Sequence, residues 1–315
     1  MTSLIKLTKV IPEILNHQRL DIALSALLPE FSRARIQEWI RIGWVTVDAK
    51  KLRPRDKVVT HQTVIVNATV DAIIPFQPQQ ITLDVLYIDR DIILINKPVG
   101  LVMHPGAGNI NNTLLNALLY HYPELAIIPR AGIIHRLDKD TSGIIVVARN
   151  LQSYNKLIDA LQRRTINREY EAIVNGVMLA GGVITASLGR HPVKRTCMAV
   201  KINGKNAVTH YRIIHKFSNH THIRVFLETG RTHQIRVHMA YIGYPIIGDQ
   251  SYNLSNKITN KISPVLHRQL EGFKHQALHA RKLKFFHPAT GKLVVQEAPY
   301  PQDFKDLLQT LINYN

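Results

Sequence analysis

Three side chains that commonly take part in chemistry occur within four residues of the sequence HRLDKDTSG: His135, Arg136 and Asp138. A carboxylate beside an imidazole and a guanidinium indicates a functional site. The same letters also fit two plainer structures. Asp138 and Asp140 occupy the first and third positions of a calcium-loop pattern, and Asp, Thr, Ser and Gly are typical of a polar turn.

The calcium interpretation fails at Arg149, which stands where the loop needs a bidentate glutamate at position twelve. The flanks are also unsuitable, because GIIHRL and GIIVVAR are rich in β-branched residues and predict strands, not helices. A turn accounts well for Asp140 and the Thr-Ser-Gly that follows it. It accounts less well for His135, Arg136 and Asp138 at the end of a buried strand. From residue types alone, a turn and a functional site both remain open.

The elements that must position this stretch form a β-rich pattern beyond residue 80. Strands are predicted in LDVLYIDRDIILINKP, REYEAIVNG, VTHYRIIHKF, THIRVFLETG and KLVVQEAP. Helices are predicted in NTLLNALLYHYP, around SYNKLIDALQRR, after RTHQIRVHMAYIG, and in PQDFKDLLQTLI. Strands and helices do not alternate regularly, so we expect an α+β fold with a mainly antiparallel mixed sheet.

Residues 17–70 have a different pattern, which predicts a separate small α/β unit. RLDIALSALLP and SRARIQEWIRIG read as two helices, the second with Ser32 as N-cap and Gly43 as C-cap, and WVTVDAKKL and TVIVNATV read as strands. The second helix buries its apolar residues and leaves Arg33, Arg35 and Arg41 solvated. These arginines are either an RNA-docking surface or an ordinary solvated face.

This stretch resembles the S4 RNA-binding domain, whose pattern RLD…L…SR…I…G.V.V it follows over about fifty residues. One departure is Val47-Asp48-Ala49, where the family often has Val-Asn-Gly, so the turn lacks the glycine that adopts positive φ easily. The Pro- and Gln-rich segment that follows predicts a linker. We therefore divide the chain into an S4-like RNA-binding domain at 1–75, a linker at 76–80 and a catalytic domain at 81–315.

The charge balance points to a polyanionic partner. The 315 residues include 40 Lys and Arg against 22 Asp and Glu, a net charge of +18 with a pI near 10. Nucleic acid is favoured over an anionic membrane surface, since no apolar run approaches the roughly 20 residues of a membrane span. Cys197 is the single cysteine, which excludes a disulfide framework and a thiolate zinc site and fits a reducing cytoplasm. MTSLIKLTKVIPEIL lacks the features of a signal peptide.

Four motifs resemble, in order, those of the RluA family of pseudouridine synthases. They are INKPVGLVMHPG, GIIHRLDKDTSGIIVVAR, REYEAIVNG and TGRTHQIRVHMAYIGYPIIGD, and they span most of residues 81–315. The resemblance implies the pseudouridine synthase fold and the isomerisation of uridine to pseudouridine. Together with the S4-like domain and the sequence HPGAGN, the four motifs resemble those of multi-domain family members that act on large-subunit ribosomal RNA. We therefore expect the helix 69 stem-loop as the target.

The family's reaction breaks the N1–C1′ bond of a uridine, turns the base and rejoins it through C5. By motif position Asp138 is the catalytic carboxylate, acting either as a nucleophile or as the base that removes the C2′ proton. Arg236 matches the arginine that pairs with this aspartate, and Tyr170 matches the aromatic that stacks on uracil and assists proton removal at C5. Nothing is oxidised or hydrolysed, so neither a cofactor nor a metal is expected.

The remaining candidates concern RNA. Arg136 resembles the arginine that fills the space left by the flipped nucleotide, and Arg231 and His233 are expected to contact phosphate or brace their loop. Backbone contacts are expected from Lys97, Arg195 and Lys205. His135 is interpreted as a structural neighbour satisfied by hydrogen bonds, and Asp140 as a turn residue.

Two other functions remain open. The same chemistry could act on transfer RNA or another ribosomal uridine, because specificity lies in the S4-like domain and the loops. A second class is an RNA-binding ribosome-assembly factor without catalysis, against which Asp138, Tyr170 and Arg236 are all present. We expect a cytoplasmic monomer that binds ribosomal RNA.

Overall fold

A computed structural model describes residues 2–28, 31, 33–71, 76–106, 108–194, 196–253 and 263–314. The chain divides into two compact units, Met1–Pro75 and Phe76–Asn315. Three predictions fall outside the described residues or side chains: Ser32 as an N-cap, the side chain of Arg35, and Arg195. Within the described part, no helix is long and apolar enough to cross a membrane.

The first unit packs two helices on a three-stranded antiparallel sheet. Its elements are β1 (Thr2–Val10), α1 (Leu20–Leu27), α2 (Arg33–Ile42), β2 (Val45–Val47) and β3 (Thr63–Asp71), with the sheet order β1-β3-β2. Strand β1 was not predicted. Trp39 and Ile36 lie at the centre of the core, and Gly43 ends α2 with a φ of 87°, as its predicted C-cap position requires.

A buried carboxylate organises the two helices. Asp21 has no exposed side-chain surface and accepts hydrogen bonds from Arg19, Arg33 and Gln37. Burial raises the pKa of Asp21, but these hydrogen bonds outweigh it and lower the pKa to about 2. Arg33, predicted to face RNA, therefore holds α2 to α1 through Asp21, although 47% of its side chain is exposed.

The turn that lacks the family glycine keeps a glycine-like backbone. Asp48 and Ala49 have φ angles of 46° and 64°, and Val47 and Lys50 exchange two backbone hydrogen bonds. Asp48 stabilises the turn through its side chain, which accepts from the Thr63 amide. The turn therefore forms with alanine in the left-handed region.

The second unit contains one large sheet flanked by helices. Its strands are β4 (Asp84–Ile88), β5 (Ile92–Lys97), β6 (Ser142–Ala148), β7 (Asn167–Asn175), β8 (Gly182–Thr185), β9 (Leu188–Arg190), β10 (Met198–Val200), β11 (Val208–Lys216), β12 (His220–Leu227), β13 (Leu278–Phe286) and β14 (Leu293–Glu297). Its helices are α3 (Leu114–His121), α4 (Leu151–Gln162), α5 (Gln234–Tyr241), α6 (Pro264–Gly272) and α7 (Gln302–Tyr314).

The sheet order is β4-β5-β6-β13-β7-β12-β11-β8, with β14 paired to β13, while β9 and β10 form a separate hairpin. Only the β6–β13 pair is parallel among the described strands. This confirms the predicted α+β fold with a mainly antiparallel mixed sheet.

The segment before Asp138 is not the strand that GIIHRL predicts. Ile133 makes one isolated bridge to Val147, and residues 135–138 have no regular structure. The neighbouring strand explains the difference: β13 pairs with β6 only at Ser142 and Gly143, and farther along β6 the His135 ring accepts the Val146 N–H. The His135 side chain thus accepts a hydrogen bond from a backbone amide that a paired strand would otherwise have accepted.

Gly143 makes the parallel β6–β13 pairing possible. Its φ is 115°, and a Cβ there would lie 2.3 Å from the Ala280 carbonyl oxygen. The predicted linker is less separate than expected, because Gln77 and Gln79 are hydrogen-bonded to Asn116 within the second unit.

Candidate active site

The loop that carries Asp138 is a tight turn held from several sides. The Thr141 amide donates to the Asp138 carbonyl, which leaves Lys139 and Asp140 at the centre of the turn, as the turn interpretation of Asp140 requires. The Gln276 side-chain amide donates to the Thr141 hydroxyl at 3.0 Å. Strand β6 begins at the next residue, so the sheet fixes where the carboxylate can lie.

Lys97 supports this loop from inside the protein. Its side chain is fully buried, and its Nζ donates to the carbonyls of Pro98, Leu101 and Lys139 at 2.7–2.9 Å. The prediction of a backbone-phosphate contact is therefore wrong. The charged atom that would meet phosphate is instead bound to carbonyl oxygens inside the protein.

Arg236 lies between two carboxylates. Its Nη1 donates to Asp138 at 3.1 Å, and its Nε and Nη2 donate to Asp249 at 2.7 and 2.9 Å. Burial lowers the pKa of Arg236, but the hydrogen bonds and charges of Asp249 and Asp138 raise it above its ordinary value. The guanidinium is thus a permanent charge with a fixed orientation toward Asp138.

Two aromatic rings complete the surroundings of Arg236. The guanidinium lies 5.0 Å from the centre of the Tyr252 ring, and the Tyr252 hydroxyl is hydrogen-bonded to His233 Nδ1 at 2.7 Å. His233 Nε2 lies 3.9 Å from the other Asp138 oxygen. Burial lowers the pKa of His233, which favours a neutral imidazole beside the carboxylate.

Tyr170 reaches the same place from β7. Because side chains alternate along a strand, Arg168 and Tyr170 lie on one face of β7 and Glu171 on the other. Tyr170 is 6% exposed, and burial raises the pKa of its hydroxyl. The ring is therefore a rigid, neutral wall.

Asp138, Tyr170, His233 and Arg236 line one cleft of about 930 Å³. The structure brings together the predicted Asp138, Tyr170, Arg236, Arg136, Arg231 and His233. Arg136 is exposed, and Arg231, also exposed, donates through its Nε to the Asn206 carbonyl. Lys205 is not part of the cleft lining.

Sequence reasoning missed several residues of this site. Asp249 is the last residue of the quoted arginine motif and Tyr252 comes three residues later, a spacing that gave no chemical reason to join them to Arg236. Helix α5 was also missed, since a helix was predicted only after the motif. Arg168 was not singled out, although it is two residues before Tyr170 on the same strand face.

A cluster of three possible metal ligands lies outside the cleft. The ligand atoms of Asp89, Asp91 and His287 lie within 4.8 Å of one another. They are already used, because Asp89 accepts from two backbone amides, a tyrosine hydroxyl and His287, and Asp91 accepts from Asn150 and Ser153. The cluster fixes the β4–β5 turn.

Comparison with known proteins gives concordant results. Residues 91–241 match the family model described as RNA pseudouridylate synthase. The chain is 50% identical over 311 residues to "Ribosomal large subunit pseudouridine synthase D" of Pseudomonas aeruginosa, covering 99% of this chain and 97% of that protein. It is 48% identical over 312 residues to the protein of the same name from Escherichia coli strain K12, covering 99% and 96%.

Solved structures resemble the chain in fold. "Human RNA Pseudouridylate Synthase Domain Containing 4" has a TM-score of 0.57 at 24% identity and covers 74% of this chain and 94% of its own. "Human RNA Pseudouridylate Synthase Domain Containing 1" has a TM-score of 0.54 at 24% identity and covers 73% and 95%.

Proposed function

Since the chain belongs to the RluA family of pseudouridine synthases, we propose that it isomerises specific uridines of large-subunit ribosomal RNA to pseudouridine. The observation that carries the proposal is the Asp138 carboxylate, hydrogen-bonded at 3.1 Å to Arg236 and sharing a cleft with Tyr170. The proposed substrate is the one that the names of the relatives give, and their alignments cover 99% of this chain. Within that RNA we propose the helix 69 stem-loop as the target.

Asp138 supplies the negative charge that the isomerisation needs. The carboxylate either adds to C1′ as the N1–C1′ bond breaks or takes the C2′ proton to leave a glycal. In both routes the hydrogen bond from Arg236 Nη1 orients the carboxylate. The detached uracil then rotates and C5 bonds to C1′; in the first route this breaks the bond between C1′ and the carboxylate, and in the second the carboxylate returns its proton to C2′. The C5 proton leaves while N1 gains one, so nothing is oxidised or hydrolysed. The reaction, as proposed, uses no cofactor or metal.

Tyr170 and Arg136 act on the nucleotide itself. The Tyr170 ring stacks on the detached uracil, an interaction worth roughly 1–3 kcal/mol per base, and its neutral hydroxyl is available for proton transfer at C5. Everting a nucleotide costs a few kcal/mol. Arg136, exposed beside the cleft, offsets that cost by filling the vacated space.

The basic surface provides affinity without sequence information, through counterion release on phosphate binding. Arg231 and His233 at the cleft and Arg33 in the first unit are proposed RNA contacts, with the first unit serving as an S4-like docking domain. We propose that the protein acts as a cytoplasmic monomer. A change of target to transfer RNA or another ribosomal uridine would leave this chemistry intact.

Chemical mapping of pseudouridines tests the proposal. Ribosomal RNA lacking the modification is incubated with the protein, with Asp138→Asn and with Asp140→Asn as a matched control at the neighbouring turn carboxylate. We expect Asp138→Asn to fold and bind RNA normally but to lose at least about 10³-fold in rate, within the range for proton-transfer groups. Asp140→Asn should keep most activity. Substantial turnover by purified Asp138→Asn would refute the assignment, and binding without conversion by the wild type would favour a non-catalytic assembly factor.

A further inference from the structure

Arg168 differs from the exposed arginines of the cleft because it is half-buried and yet has no counter-charge among the described residues. Arg168 is half-buried on β7 and lines the same cleft as Asp138 and Tyr170. Its Nε is buried without a hydrogen-bond partner, and no described carboxylate pairs with its guanidinium. Arg236, by contrast, is held by two carboxylates. Burying a charge without a partner is unfavourable, so Arg168 needs an explanation that protein contacts do not give.

The backbone opposite Arg168 accommodates its guanidinium closely. A Cβ on Gly230 would lie 2.6 Å from Arg168 Nη1, so only glycine leaves room for the group in this position. Gly230 immediately precedes Arg231 in the loop that leads to α5. The unpaired guanidinium therefore lies between β7, which carries Tyr170, and the loop that contains Gly230.

A second unpaired donor belongs to a residue of the same cleft, His135. The Val146 amide donates to His135 Nε2 at 3.1 Å, so the neutral ring carries its proton on Nδ1. That Nδ1 is buried and lacks a partner within the described structure. Burial lowers the pKa of His135 to about 3, and the positive charge of Arg168 lowers it as well. His135 also lines the cleft.

An acceptor with negative charge is the ligand that satisfies both groups. Arginine binds phosphate with parallel N–H donors, and a neutral imidazole N–H adds a further donor without repelling the guanidinium. Uracil carbonyls are neutral and would leave the Arg168 charge uncompensated. We propose that Arg168 and His135 form a phosphate-binding site in the cleft wall, which holds a backbone phosphate of the nucleotide that enters the cleft. The inference rests on the proposed function in taking that nucleotide to be part of RNA.

Nucleotide binding tests the site without requiring catalysis. Dissociation constants for uridine, uridine 5′-monophosphate and uridine 3′-monophosphate are measured by NMR titration of the full-length protein. The variants are Arg168→Gln, which removes the charge, and Gly230→Ala, which keeps the charge but displaces it. Arg163→Gln is the matched control, because Arg163 is 73% exposed, pairs with Asp159 and does not line the cleft.

We expect at least one monophosphate to bind the wild type roughly 10-fold or more tightly than uridine does, the lower end for a hydrogen bond to a charged group. That preference should fall to about 3-fold or less in Arg168→Gln, take an intermediate value in Gly230→Ala and persist in Arg163→Gln. An unchanged preference in Arg168→Gln overturns the inference, and so does a wild type that binds uridine as tightly as both monophosphates. Failure of conversion in the mapping experiment, with the phosphate preference intact, would refute the proposed function alone.

Discussion

Replacement of Asp249 by asparagine separates the positioning of Arg236 from its charge. The Asp249 side chain is completely buried, and it acts as an acceptor in every hydrogen bond that it makes with the described residues. Oδ1 accepts from Arg236 Nη2 and from the amides of Ser251 and Tyr252, whereas the one partner of Oδ2 among the described residues is Arg236 Nε, at 2.7 Å. Asparagine has one carbonyl oxygen, which will occupy the Oδ1 position because three donors converge there. Its NH₂ group then faces the Arg236 Nε–H.

The magnitude follows from this geometry. One charge-assisted hydrogen bond is lost, about 1.5–3 kcal/mol, and two donors are left against each other in a buried place. Breaking a buried pair by removing one partner typically costs about 3–5 kcal/mol. We expect the free energy of unfolding to fall by about 3 kcal/mol. Arg236 will move away from the amide, and a shift of about 1 Å at a catalytic group can lower the rate about 10²-fold.

The assay is single-turnover conversion together with RNA binding, at a temperature where circular dichroism shows Asp249→Asn to be folded. We expect the rate to fall roughly 10- to 100-fold, by the same misplacement argument, while RNA affinity changes less than about 3-fold because Asp249 does not line the cleft. Asp159→Asn, the same change in an exposed ion pair, should alter stability by no more than about 1 kcal/mol. A destabilised but folded Asp249→Asn with wild-type rate would refute the positioning argument.

Two further predictions concern stability. Ala49→Gly should raise the free energy of unfolding of the first unit by about 1 kcal/mol in urea titrations, since Ala49 has a φ of 64°; Ala23→Gly, in helix α1, should instead lower it by about 1 kcal/mol or more. The protein should also lose stability on acidification between pH 6.5 and 4.5, because burial lowers the pKa of His279 from 6.5 to about 4. The unfolded chain then binds a proton that the folded chain excludes, which for His279 alone amounts to about 2 kcal/mol over that window. Urea unfolding of His279→Gln should depend less steeply on pH, and an equally steep dependence would count against the assignment.

The sequence anticipated the site best where a motif fixed both residue type and order. Asp138, Tyr170 and Arg236 lie far apart in the chain, and the structure unites them in one cleft, on a loop, a strand and a helix. The α+β fold was predictable because alternating apolar residues identify the strands of an antiparallel sheet. This holds whatever the order of the strands within the sheet.

The rest depended on tertiary contacts that no local pattern encodes. GIIHRL has the composition of a strand, but the His135 side chain takes the Val146 amide that a strand would have paired. In the sequence Lys97 resembles an ordinary surface cation, but in the structure its Nζ donates to three backbone carbonyls. Asp249 becomes relevant only because the fold brings it under α5, where it meets Arg236.

Three arginines of the cleft differ in whether a carboxylate pairs with them. This difference separates the orientation of Asp138 from the binding of RNA. Arg236 has carboxylates on two sides and is too constrained to follow a substrate, so it can orient Asp138 but cannot insert into RNA. Arg136 is exposed, and Arg168 lacks a described carboxylate partner, so both retain the capacity to bind phosphate or fill a gap in the stack. A guanidinium that gains its first anion on RNA binding contributes to affinity, whereas one already neutralised contributes to geometry. Substitution of Arg136 or Arg168 should therefore weaken RNA binding, and loss of Arg236 should slow conversion of RNA that is still bound.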